Sequence, residues 1–361
     1  IRDSLGCVRG YPAHRLAATG QLVGAGSMKS QPMSRNADTT ASRERSLTLY
    51  APASIGNLSV GFDALGLALA PLDGSLLGDL VRLSYPSQAG QDWTLEVTGA
   101  FAKYLPKDPE QNIVTRSCRR YQAAVAEKGG NVEPLDVRLD KRLPIGSGLG
   151  SSASSVVAAL EALNRFHGNL LSAREIFHLM AEMEGSISGD IHLDNIAPCL
   201  YGGLRLCPPG AESEYVLPWP ATWRAVVCWP GTELMTREAR TVVPAEIPRS
   251  TAVRHGAQFA QFVHALYTAN TALAAASIVD LIAEPYRRHL LPGFDEAKSR
   301  LGELGALAVG ISGSGPTIFA LTDDPDVAKS AAAWMDDHYR KNERGFTHIC
   351  RADLGGARSI R

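Results

Sequence analysis

The sequence predicts an α+β fold, with strands and helices in layers rather than a doubly wound parallel sheet. Some segments alternate apolar and polar residues with period two, and others repeat them at helical spacing. These segments follow one another without the strict strand–helix rhythm of a parallel α/β sheet. The third observation is bulk. A chain of 361 residues, 45% apolar and 20% charged, can bury a sizeable core as one large domain or two ordinary ones.

Residues 1–45 stand apart, rich in Ser, Gly, Ala, Thr and Arg and without sustained periodicity. Seven basic and three acidic residues give this stretch a net +4 and leave −5 for the remainder. We expect a disordered extension, although an acid-poor composition containing Arg and Ser also fits a transit peptide. The first residue is Ile1, so Met28 and Met33 are candidate starts.

Order is expected from Ser46, where 46–50 alternates as a strand does, followed by strands over 81–84 and 94–97. A helix over 112–127 stops before Gly129 and Gly130, and a strand follows over 135–139. A helix over 151–166 places Val156, Val157, Leu160 and Leu163 on one face. Ser172, with Glu175 three residues on, has capping-box spacing and starts a helix over 172–184. Gly202 and Gly203 turn the chain into a strand over 204–206, and 224–229 is strand-like. Helices are expected over 255–270 and 271–283, strands over 306–311 and 317–321, and a helix over 327–338. There is no short-period internal repeat.

Charge and composition exclude several function classes. A net charge of −1 gives no electrostatic case for nucleic-acid binding. No apolar run approaches the ~18–20 residues that span a bilayer, so a soluble protein without a membrane partner is expected. The six cysteines, at 7, 118, 199, 207, 228 and 350, form no CxxC pair, which fits reduced thiols in the cytoplasm. The nine histidines form no HExxH and no Cys/His cluster, which argues against zinc.

Four segments carry candidate chemistry. The strongest is the loop Pro144, Ile145, Gly146, Ser147, Gly148, Leu149, Gly150, Ser151, Ser152, Ala153. Its glycines permit backbone that side chains resist and let amides approach a ligand. The helix that follows offers free N–H donors and a positive dipole end, a nest for phosphate. Ser151 and Ser152 add hydroxyls that suit phosphate or magnesium. The loop is neither a Walker A loop nor a Rossmann fingerprint, and alone it is equally the cap of an ordinary helix. The second segment, 310–317, is a Gly/Ser turn between apolar strands, readable as a β-turn or as a second backbone wall against a ligand. The third, 51–63, follows a strand with small residues and sets Asn57 six positions before Asp63. The fourth runs from Glu182 and Glu184 through Asp190, His192, Asp194 and Asn195. It is a solvated helix end, or a source of carboxylates beside the phosphate loop.

Taken in order, these segments resemble the GHMP kinase superfamily, whose central loop reads P-x-x-x-G-L-x-S-S-A. Here that is Pro144, Gly148, Leu149, Ser151, Ser152 and Ala153. The sequence is more closely similar to the homoserine kinases. The stretches 50–54, 59–63, 194–198, 283–287, 291–294 and 348–351 carry this likeness, which covers about 46–357. The resemblance implies an N-terminal domain like ribosomal protein S5 domain 2 over 46–203 and a ferredoxin-like domain over 204–357. It implies ATP along 144–154, from Pro144 to Ser154, with Mg²⁺ held by Ser152 and Glu184. It implies L-homoserine as the small-molecule substrate, phosphorylated on its hydroxyl in threonine biosynthesis. Asn57, Asp63, His192, Thr236, Arg240, Arg287, Gly313 and Gly315 would line its site, with Asp194 and Asn195 at the reacting centre. A zwitterion needs an anion for its ammonium and a guanidinium fork for its carboxylate, so Asp63, Arg240 and Arg287 suit it. A homodimer is compatible with the resemblance. The alternatives are a kinase for another small alcohol and a nucleotide-binding regulator without catalysis.

Overall fold

The computed structural model describes residues 46–88, 90–188, 193–210 and 214–360. The extension expected over 1–45 lies outside the described residues, as does His192. Among the described residues the strands are β1 (Ser46–Pro52), β2 (Ser54–Gly56), β3 (Leu65–Pro71), β4 (Gly78–Ser84), β5 (Thr94–Thr98) and β6 (Asp136–Asp140), then β7 (Leu204–Leu206), β8 (Tyr215–Leu217), β9 (Arg224–Trp229), β10 (Ala308–Ile311), β11 (Ile318–Thr322), β12 (Phe346–Ala352) and β13 (Arg358–Ser359). The helices are α1 (Ile113–Glu127), α2 (Ser151–Phe166), α3 (Ala173–Ser188), α4 (Ile196–Tyr201), α5 (Thr236–Thr241), α6 (Arg249–Tyr267), α7 (Thr271–Ala276), α8 (Glu284–Arg287), α9 (Phe294–Glu303) and α10 (Pro325–Trp334).

One sheet has the order β13-β1-β4-β6-β5, and a second runs β10-β11-β9-β12-β3-β7-β8, with β2 paired to β3. The pairings are antiparallel except β5 with β6. The α+β expectation holds. The two sheets do not divide at one point of the chain. The early strand β3 pairs with the late strand β12 at Cys350 and Pro71, and β13 returns to β1.

The first sheet packs α1, α2 and α3 over Leu49, Val81, Leu83, Val137 and Leu139. Helix α2 is buried almost all round, including Val156, Val157, Leu160 and Leu163, as a helix sandwiched between a sheet and other helices must be. The second sheet is covered on both faces. In β9, Ala225 and Val227 turn toward α6 and α7, while Val226 and Cys228 turn toward α9 and α10. Period-two alternation therefore disappears from β9 and β11, because both faces are apolar.

The expected helix over 271–283 ends at Ala276. The Ser277 hydroxyl bonds back to the Leu273 carbonyl at 2.8 Å. The Asp280 carboxylate then accepts from the amides of Ile282, Ala283 and Glu284, capping the start of α8. Helix α6 begins at Arg249, not 255, since its first two turns are largely exposed and carry no apolar signal. All five cysteines among the described residues are free and buried. No described helix is long and apolar enough to cross a membrane.

Candidate active site

Three glycine-bearing loops close on one another around a cavity of about 370 Å³. The loop before α2 lies against the turn between β10 and β11. Ser312 donates its hydroxyl to the Gly148 carbonyl at 2.7 Å, and the Thr317 amide donates to the Ser147 carbonyl at 3.1 Å. The Gly313 amide donates to the Gly56 carbonyl at 3.0 Å. Asn57 donates Nδ2 to the Gly313 carbonyl at 3.1 Å and accepts the Asp63 amide at 2.9 Å. Asn57, Leu58 and Ser59 take left-handed backbone, with φ of 67°, 42° and 57°. Such strain persists only where the surroundings impose it, and here the Asn57 side chain ties its own loop at Asp63 to the turn at Gly313.

Gly148 has φ 79°, and a Cβ there would stand 2.3 Å from the Ser312 carbonyl oxygen. Gly150 has φ 65° at the first turn of α2, where a Cβ would meet Ser54 Oγ at 2.3 Å. Both positions thus require glycine, for conformation and for space. The start of α2 borders the cavity, which is lined on this side by Ile145, Gly146, Ser147, Gly148, Gly150, Ser151 and Ser152.

A buried ion pair sits beneath this helix start. Lys141 bonds the Asp79 carboxylate, the Ser151 carbonyl at 2.9 Å and Ser155 Oγ at 2.9 Å. Asp79 Oδ1 accepts from the amides of Arg142 and Leu143 at 2.9 and 3.0 Å. Every donor and acceptor is used, which makes so dry a pair tolerable. Lys141 also reaches the cavity wall. Sequence reasoning passed over it, although its place three residues before Pro144 was a usable signal.

Ser152 Oγ donates to Glu184 Oε1 at 2.7 Å, tying α2 to α3. Desolvation pushes the Glu184 carboxyl above its ordinary range, while the Ser152 hydrogen bond and Lys141 oppose the rise. Two oxygens this close are hard donors, and so their chemistry fits a magnesium ion.

Asp194 is 3% exposed at the base of the cavity. Burial pushes its carboxyl up to about 7, and the nearby Asp63 adds to the rise against the pull of Arg240. Asn195, the next residue, lies against the Asp194 carboxylate. Opposite, Arg240 forks onto Asp63 at 2.9 and 3.3 Å, and its buried Nε has no hydrogen-bond partner among the described residues. Arg287 is 3% exposed. It donates to the carbonyls of Ala239 and Gly313 and lies over the Phe62 ring at 5.5 Å. Burial and the neighbouring Arg240 depress its pKa.

The cavity therefore gathers Asn57, Asp63, Glu184, Asp194, Asn195, Thr236, Arg240, Arg287 and Gly313 with the phosphate-loop residues above. Other positions do not reach it. Ala153 and Leu149 are buried in the core. Ser154 bonds the Ala51 carbonyl and the Asp79 amide inside the sheet. Pro144 and Gly315 are not among the residues that line it. An apolar side wall of Leu105, Pro106 and Ile113, with Gln111 and Arg116, went unread in the sequence.

The family profile described as GHMP kinases N terminal domain matches residues 112–203, and the one described as GHMP kinases C terminal matches 263–341. The chain is similar to the solved homoserine kinase from Cytophaga hutchinsonii, with 35% identity over 87% of this chain and 97% of that one, at a TM-score of 0.78. A Listeria monocytogenes protein assigned as a homoserine kinase shares 22% identity, covering 87% and 99%, at a TM-score of 0.63. The phosphomevalonate kinase of Streptococcus pneumoniae shares 12%, covering 88% and 99%, at 0.61. At these lower identities the likeness shows the fold alone.

Proposed function

The chain belongs to the GHMP kinase family, and from that premise we propose that it transfers the γ-phosphoryl group of ATP to the side-chain hydroxyl of L-homoserine. The observation that carries the choice of substrate is the Asp63–Arg240 fork beside Arg287. A carboxylate and two guanidiniums in one cavity match the ammonium and carboxylate of an amino acid. An alcohol without these charges would leave the buried Arg287 guanidinium without an anionic partner and make no use of the Asp63–Arg240 pair. The 35% identity to a homoserine kinase over most of both chains supports the same reading.

The ATP phosphates would lie against the loop amides and the start of α2, where partial positive charge is fixed in place. The apolar wall of Leu105, Pro106 and Ile113 suits the base. Ser152 and Glu184 would hold Mg²⁺, which when bound neutralises charge on the phosphates. Asp194 accepts a hydrogen bond from the homoserine hydroxyl and points its oxygen along the line of transfer. The new bond forms between that oxygen and the γ-phosphorus, the bond to the ADP oxygen breaks, and the hydroxyl proton passes to the phosphoryl oxygens.

A coupled assay of ADP release with homoserine, mevalonate, galactose and shikimate, with and without Mg²⁺, tests the reading. Homoserine should be turned over best. No turnover of homoserine, with turnover of another alcohol, overturns it.

A further inference from the structure

Ser54 stands outside every role assigned above, yet it touches three parts of the site. It is fully buried in β2. Its amide donates to the Leu149 carbonyl of the phosphate loop at 3.1 Å. Its hydroxyl lies 2.8 Å from Asn195 Oδ1, and a Cβ on Gly150 would fall on it. Behind it, Cys199 Sγ is 3.0 Å from the Pro52 carbonyl and 3.7 Å from Ser54 Oγ.

These contacts fix the direction of the hydrogen bonds. The Cys199 thiol has a closer acceptor in Pro52. The Ser54 proton can then go to Asn195 Oδ1, which leaves Asn195 Nδ2 facing Asp194 Oδ1 at 3.4 Å. The flipped amide would set its oxygen against the Asp194 carboxylate, two acceptors face to face. With Asp194 ionised, only this orientation satisfies both neighbours.

We propose that Ser54 is a positioning residue, whose hydroxyl locks the Asn195 amide so that Nδ2 faces the reacting centre as a donor. Asn195 then offers N–H to Asp194 and to the phosphoryl oxygens, and its own oxygen is withheld from any metal. The phosphate loop is registered to this donor through the Ser54 amide, so loop and amide move as one unit. The inference rests on the kinase reading above, but not on which alcohol is the acceptor.

A double-mutant cycle tests it, read with whichever alcohol of the panel is turned over. Ser54→Ala should lower kcat roughly tenfold, the loss of one orienting hydrogen bond, and leave both KM values within about twofold. In an Asn195→Ala background the same change should do almost nothing, because the group it orients is gone. Ser54→Cys keeps the volume with a poor donor and should fall with Ser54→Ala, which guards against misfolding of the smaller variant. Equal losses in both backgrounds, or full activity of both Ser54 variants, overturn the assignment.

Discussion

Arg240 of α5 and Asp63 of the β2–β3 loop, 177 residues apart in the chain, hold each other through two hydrogen bonds of 2.9 and 3.3 Å. The two charges that would grip opposite ends of a zwitterion thus neutralise each other in the protein alone. On the proposed function, an amino acid entering the site would divide this fork, with its ammonium beside Asp63 and its carboxylate against Arg240, whose Nε has no partner among the described residues. Arg240→Lys loses the planar fork but keeps the charge. It should raise KM for homoserine by ~10–100-fold, the worth of one or two charge-assisted bonds, with KM for ATP unchanged. Steady-state kinetics with each substrate varied in turn checks this.

Asp63→Asn should act differently from Arg240→Lys. It removes the ammonium partner and leaves the Arg240 guanidinium without its counter-charge, so the site becomes one charge more positive. Homoserine should bind at least tenfold more weakly, while a deaminated analogue, 4-hydroxybutyrate, loses much less. Competition of the analogue against homoserine in wild type and variant gives the comparison.

Asp194 carries the pH dependence. Its folded pKa of about 7 lies well above the ordinary ~3.9 of an aspartate, so the folded state binds the proton more tightly than the unfolded chain. The resulting stability is fully present below about pH 4 and is lost as pH rises through 7. Three pKa units correspond to at most a few kcal/mol. Asp194→Asn removes this loss, so its stability relative to wild type should be greater at pH 8 than at pH 5, by urea unfolding at both. Kinetics of the same variant separate two roles. A rise confined to KM fits orientation of the hydroxyl, while a fall in kcat of about 10²–10⁴-fold points to Asp194 as the base.

Much of this site was legible in the sequence because glycine and serine at fixed spacing are local signals. The loops around Gly148, Gly313 and Asn57 were each visible in isolation. Their mutual hydrogen bonds were not, since Ser312 and Gly148 are joined only by the fold. Strand β3 went unread for a related reason. Nearly every residue of its LGLALAP run is buried, so it shows no alternation and none of the β-branched residues that mark strands. Helices α4, α5 and α8 were also unread, being four to six residues long, too short to show a period. Lys141 escaped because a lone lysine between a strand and a loop reads as solvated, and only the pairing with Asp79 in β4 reveals that it is 2% exposed.

That pairing supports a stability prediction. Lys141→Met removes the cation and leaves the Asp79 carboxylate buried among the Arg142 and Leu143 amides and Ser155. Breaking a buried pair on one side costs about 3–5 kcal/mol. Replacing both partners, as in Lys141→Met with Asp79→Leu, removes the uncompensated charge and should recover part of the loss. Thermal unfolding of the three proteins should therefore place the double variant above the single one. The single variant should also lose affinity for ATP, because the Ser151 carbonyl at the start of α2 is no longer anchored.

Glycine 148 gives the sharpest separation of binding from folding. Its carbonyl takes the Ser312 hydroxyl, and its φ of 79° disfavours an L side chain. A methyl group there meets the Ser312 and Gly315 backbone at 2.3–2.9 Å, where no side chain can rotate out of the way. Gly148→Ala must therefore either strain the loop or push the 312–315 turn outward. The turn carries the Gly313 carbonyl, acceptor for both Asn57 and Arg287, so the disturbance reaches the Arg287 side of the cavity as well as the side at the start of α2. Both KM values should rise, with the larger loss for ATP. In contrast, Gly129→Ala meets no atom of the described residues within 4 Å and carries only the conformational cost of a positive φ, roughly 1 kcal/mol. If the two alanine variants lose ATP affinity equally, the interlock between the loops does not position the nucleotide.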